Sequence, residues 1–288
     1  MRRLLVILAL IGLGTAAPAW ADVTLRYRAG PPQTSSPQPG STPRPTLTIA
    51  ADDEGQALIE MAAPSNGSGT AEGASPPSVA LITREGVGYL ALNGPQAGMQ
   101  IVARQDDAIA LITPMAVGLG AGSAREGVQE VMRQRVEIVA AGTETVAGLP
   151  GQLYRIVLIT GETRGSPIEI VVSDDPRLAP AGRELLRLTE AFRPLVVAVT
   201  GGEPQIYAAI VTMLGRGAPL RISNFFVVDS FDTDDVPDSR FALPGPVMTR
   251  EQLGQVVGAM MGAGPPGAQG APAPATAPPA DAAPPTPQ

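Results

Sequence analysis

Four aspartates crowd the stretch FDTDDVPD: Asp232, Asp234, Asp235 and Asp238. Hard cations such as calcium bind through oxygen, and an acidic loop is a direct way to bring several carboxylates together. The segment lacks the mid-loop glycine and terminal glutamate of an EF-hand, so it reads first as a solvated acidic turn and only second as a calcium site.

What the chain lacks narrows its chemistry further. It has no histidine and no cysteine, and all 20 of its basic residues are arginine, so it has no lysine either. That inventory removes a Ser-His-Asp triad, a thiol nucleophile, a Ser-Lys pair, a Schiff base, an imidazole zinc site and a phosphate-loop lysine. Carboxylate chemistry survives: paired Asp or Glu for glycoside hydrolysis, or the calcium site above. Sugar binding favours aromatic platforms, yet Trp20 is the only tryptophan, beside four tyrosines and five phenylalanines. The expectation is a non-enzyme without a cofactor.

The spaced glycines of AGTETVAGLPGQLYRIVLITGE (141–162) raise a further possibility, a phosphate cradle. Such a loop needs Lys-Ser/Thr and a helix after its last glycine, whereas here Gly151 leads into Leu153-Tyr154-Arg155-Ile156-Val157. The glycines are therefore read as turns between strands, with Gly148-Leu149-Pro150-Gly151 reversing the chain.

Both ends of the chain speak to its location. Two arginines, an apolar run from Leu4 to Leu13 and Ala19-Trp20-Ala21 have the order of a secretory signal peptide, cut after Ala21. The expectation is a periplasmic or secreted protein, not an integral membrane one. Residues 262–288 are almost wholly Ala, Gly and Pro, with Asp281 their only charge, and are read as a disordered tail. The net charge of −7 becomes −9 without Arg2 and Arg3, which disfavours nucleic acid as a partner.

Between these ends, period-two patterns predict strands at 22–28, 46–50, 56–62, 78–84, 87–93, 99–105, 133–141, 152–162, 166–176, 219–228 and 239–244. Pro/Gly-rich loops are expected at 29–45 and 63–78, and Glu85-Gly86 as a tight hairpin. DAIALIT (107–113) fits a strand or a buried helix equally, and a short helix is predicted at 124–132. Asp174-Asp175-Pro176 opens a helix bearing Ala181, Leu185, Leu188 and Phe192 on one face, which ends before Pro194. A second helix is predicted over 203–214, with Ile206, Ile210 and Met213 on one face. Thr249 and Gln252 form a capping box for a last helix over 248–261.

In that order, Gly142-Thr143-Glu144-Thr145-Val146-Ala147-Gly148, Tyr154, IEIVVSDDP, Gly217-Ala218-Pro219-Leu220 and Phe241-Ala242-Leu243-Pro244 resemble an uncharacterised bacterial family of exported proteins. That family looks related in fold to the periplasmic lipoprotein-localisation-factor carriers, and the resemblance covers residues 79–244. It implies an α+β fold: a curved antiparallel sheet, an unclosed barrel, in a single domain over 22–247, with helices over its concave face. In the carriers that hollow receives acyl chains. The expected function is thus a carrier for an apolar ligand, a lipid or lipidated protein, lined by Tyr154 and Ile156 of the sheet and by Leu185, Leu188 and Phe192 of the helix. Those side chains would equally fill a core. The alternative function is an envelope scaffold that docks partners through its sheet and Pro-rich tail.

Overall fold

The computed structural model describes residues 22–30, 45–62, 78–93, 100–120 and 124–262. The expected leader (1–21), most of the two Pro/Gly-rich loops and all of the expected tail except Gly262 lie outside these residues.

The alternating segments of the first half become a meander. Strands β1 (Val23–Ala29), β2 (Thr46–Ala51), β3 (Ala57–Ala62), β4 (Ser78–Arg84), β5 (Val87–Asn93) and β6 (Gln100–Arg104) each pair antiparallel with the next. Glu85 and Gly86 join β4 to β5 with φ of 53° and 75°, the left-handed pair that a type I′ hairpin requires.

A second series follows: β7 (Arg135–Val146), β8 (Leu149–Thr160), the two-residue β9 (Thr163–Arg164), β10 (Ile168–Ser173), β11 (Ala218–Ile222) and β12 (Phe226–Asp232). Strand β12 returns to pair with β1. The result is one antiparallel sheet in the order β6-β5-β4-β3-β2-β1-β12-β11-β10-β8-β7, with β9 paired to β8. Its end strands do not meet, so this is the expected unclosed sheet of an α+β fold.

Six helices accompany it among the described residues: α1 (Gln105–Gly120), α2 (Ala124–Arg133), α3 (Ala179–Ala191), α4 (Arg193–Thr200), α5 (Gln205–Leu214) and α6 (Arg250–Gly262). The ambiguous DAIALIT run is helical, within α1; it packs Ala108 and Leu111 with Ile101, Ala103 and Leu253, and also buries Ile109. The capping box of α6 forms in both directions: Gln252 N–H donates to Thr249 Oγ1 at 3.2 Å, and Thr249 N–H to Gln252 Oε1 at 2.9 Å. Asp175 accepts from the Arg177 N–H at 3.0 Å, capping a 3-10 turn, Pro176–Leu178, that leads into α3.

Four expectations are corrected. The reversal after β7 is Ala147-Gly148 (φ 51° and 81°), while Leu149, Pro150 and Gly151 pair within β8 opposite Val146, Thr145 and Glu144. The predicted strand 219–228 is broken at Ser223-Asn224-Phe225, so that Ile222 faces Phe226 in a hairpin; Ser and Asn favour turns, and the apolar residues around them hid that signal. Where a strand was predicted over 239–244, residues 238–241 form a 3-10 helix, because Pro237 and Pro244 flank the segment and Phe241 is drawn into the core. Helix α4 was not expected: Pro194 read as a stop, but it occupies a first-turn position where its missing N–H costs nothing.

Neighbouring residues of single strands belong to different core clusters, so the sheet is covered on both sides. In β3, Ala57 and Ile59 pack with Leu25, Ile49, Leu178 of the 3-10 turn and Ala181 of α3, whereas Leu58 packs with Ala50, Ile82 and Phe241.

Candidate apolar-ligand site

Helix α5 lies over the β8–β10–β11 wing. Ile206, Ala209 and Met213 recur at helical spacing and meet Ile156, Ile170 and Val172 of the sheet. The wall is made of β-branched side chains that are short and stiff, and Ala209 is the small residue opposite them. The interface is not filled. A cavity of about 230 Å³ remains, walled by Ile156, Ile170 and Val172 on one side and by Ile206, Ile210 and Met213 on the other, with no polar atom on its surface. Phe225, at the tip of the β11–β12 hairpin, also lines it and is 68% exposed; Ile210 is 37% exposed.

The helix is fastened through its first turn. Gln205 Oε1 accepts from the Val136 N–H of β7 at 3.0 Å, and the Tyr207 hydroxyl donates to the Thr189 carbonyl of α3 at 2.5 Å. Burial raises the Tyr207 phenol above its ordinary pKa.

A more polar hollow of about 430 Å³ adjoins the cavity and shares Val172 with it. Thr143, Gln152, Tyr154, Asp174 and Arg216 line this hollow. The Arg216 guanidinium stands 4.8 Å from the centroid of the Tyr154 ring, within cation–π range.

The reverse side of the same strands carries a charge lattice that locks their register. Arg221 of β11 binds Glu144 of β7 through Nε–Oε1 (2.9 Å) and Nη2–Oε2 (2.6 Å), and reaches Glu169 of β10 at 3.3 Å. Arg155 of β8 donates to Glu169 at 3.1 Å. The hydrogen bond from Arg155, helped by Arg221, holds the Glu169 carboxyl below its ordinary pKa, and Glu144 raises that of Arg221. Thus Glu144 and the Ala147-Gly148 turn of the GTETVAG motif act structurally.

Of the five residues expected to line one hollow, Ile156 alone lines the apolar cavity. Tyr154 belongs to the same cluster but lines the polar hollow. Leu185 and Leu188 pack with Leu25, Ile49 and Leu220 in the central core, and Phe192 sits half-buried at the junction of α3 and α4. The reason α3 closes rather than covers a hollow is polar: Thr83 of β4 donates to Glu184 at 2.5 Å, while Arg187 binds Glu184 at 2.6 and 2.9 Å and also reaches Thr83. These bonds clamp α3 to the sheet. The open wall belongs to α5, whose Ile206, Ile210 and Met213 stripe was visible in the sequence without any sign that space lay beneath it.

Asp232, Asp234, Asp235 and Asp238 are all exposed, and the Asp232 carboxylate accepts the Asp234 N–H at 3.0 Å. Among the described residues no group of three or more metal-ligating side chains converges.

No protein-family model matches the chain, and no curated protein is significantly similar to it. Among the described residues, no helix is long and apolar enough to cross a membrane.

Proposed function

We propose that this chain is an exported, non-catalytic binding or carrier protein for an apolar ligand, an acyl chain or a lipidated partner, received between α5 and the β8–β10–β11 wing. One observation carries the reading: a cavity with wholly apolar walls beside an exposed Phe225. Water is poorly held in such a space, which favours an apolar occupant. The leader-like N-terminus and the resemblance to periplasmic carriers support the same reading.

Size is compatible with it. Ligand pockets typically start at about 300 Å³; the cavity of about 230 Å³ falls short alone and exceeds that with its polar neighbour of about 430 Å³. Release requires the wall to part, and α5, tied chiefly at its first turn, is the element suited to swing.

The test is native mass spectrometry of the mature protein purified from its own cell envelope without detergent, followed by uptake of a fluorescent fatty acid. A bound mass of lipid size, with uptake lost on placing a carboxylate at the mouth (Ile210→Asp), is the expected result. A bare polypeptide that takes up no probe overturns the reading.

A further inference from the structure

We propose that the ligand is a single-chain amphiphile with a monoanionic head, its chain in the apolar cavity and its head on Arg216; this rests on the carrier reading above. The apolar cavity and the polar hollows meet at one end. Val172 lines both the cavity and the hollow holding Tyr154, and Leu214 lines both the cavity and a second hollow of about 240 Å³; Asp174 and Arg216 line both hollows. Phe225 lies toward the other end of β10, where Ser223 N–H donates to the Glu169 carbonyl. From Ile168 to Ser173 is about 17 Å at 3.3 Å per residue, so the slot is elongated and apolar along its length, with the Arg216 guanidinium and the Asp174 carboxylate at one end.

Arg216 is suited to hold that head. Its side chain is exposed, and among the described residues it forms no ion pair, in contrast to Arg155, Arg177, Arg187, Arg193 and Arg221, each of which binds a carboxylate. Stacking on the Tyr154 ring orients the guanidinium while leaving its N–H edge for a charge-assisted hydrogen bond. Asp174 shares the hollow and repels a second negative charge, which selects a monoanion over a phosphate monoester. The competing role for Arg216 is to complement the negative C-terminal end of α5, two residues after Leu214. That role affects stability alone.

Uptake of cis-parinaric acid and of the corresponding alcohol, at pH 8 and in low salt, separates these roles. The wild-type protein is expected to prefer the acid by about tenfold, the scale of one charge-assisted contact. Arg216→Gln should abolish the preference while leaving alcohol uptake and the urea midpoint nearly unchanged, and Arg216→Lys should restore part of it. Displacement by oleate or by lysophosphatidylglycerol distinguishes a carboxylate from a phosphodiester head. Equal uptake of acid and alcohol by the wild-type protein overturns the head site and leaves the carrier reading standing. Uptake of neither overturns both.

Discussion

The Tyr27 hydroxyl donates to the Pro219 carbonyl at 2.7 Å, joining residues 192 apart in the chain. Tyr27 belongs to β1 and Pro219 to β11, and β12 runs between those strands, so the side chain spans a strand to reach its acceptor. The β10–β11 register shifts at Val171/Val172, beside Pro219, and Tyr27 satisfies the carbonyl there. Tyr27→Phe would leave it buried and unpaired at a cost of about 1–3 kcal/mol, read as a lower urea midpoint. Burial also holds the Tyr27 phenol far above its ordinary pKa of 10.0. Above pH 10 the unfolded chain loses this proton while the folded one keeps it, so stability falls as pH rises. The Phe variant should lack that share of the alkaline loss.

The clamp on α3 makes a sharper prediction. The Glu184 side chain is 7% exposed, and Arg187 is its charge partner. The Arg187 guanidinium is held above its ordinary pKa chiefly by Glu184, with a smaller contribution from Asp106. Arg187→Met strands a buried carboxylate and should cost about 3–5 kcal/mol. Adding Glu184→Met removes the stranded charge and should recover most of that loss in equilibrium unfolding. A double variant as unstable as the single one would show that the pair does not act as a unit.

The sheet was legible because period-two alternation survives wherever one strand face is more apolar than the other, as in Val23, Leu25 and Tyr27. The elements misread were those where composition and conformation part company. Pro194 starts α4 although proline usually stops helices, and Phe241 and Leu243 alternate like a strand while flanking prolines forbid one. The candidate site was half legible. Ile156, Ile206, Ile210 and Met213 stood out as apolar stripes, but whether two stripes meet tightly depends on side-chain volumes across the interface, which Ala209 and the β-branched wall leave incomplete. The clamp between Thr83 and Glu184, 101 residues apart, is a tertiary pairing with no local sequence signal.

Acid should test the charge lattice. The Glu169 and Asp175 carboxyls are both held below their ordinary pKa values of 4.5 and 3.8, chiefly by hydrogen bonds from Arg155 and Arg177 respectively. Folding is therefore favoured by these groups above those ordinary values, and the contribution disappears as pH falls through the lower folded-state values. Unfolding free energy should drop as pH is lowered below about 4.5, the region where unfolded carboxylates take up protons. Glu169→Gln should flatten that slope, measured by urea titration at several pH values.

Gly217 sits between α5 and β11, in the hollow that Arg216 and Asp174 also line. Its φ is 149°, and a Cβ placed there would lie 2.0 Å from the Ser173 carbonyl oxygen and 2.8 Å from its carbon. Those atoms are backbone at the end of β10 and cannot rotate aside, so Gly217→Ala must push the start of β11 off the sheet. Gly182 of α3 packs against the same spot, its own Cβ position 3.1 Å from the Gly217 carbonyl carbon, which leaves no room on the other side. Gly55 is the control: its φ is 89°, and a Cβ there meets nothing within 4 Å. Gly55→Ala should cost about 1 kcal/mol from backbone strain alone, whereas Gly217→Ala should exceed about 3 kcal/mol because steric displacement adds to strain. Thermal unfolding of the two variants reads the difference directly; equal losses would mean that β10 and β11 do not approach as closely as Gly217 requires.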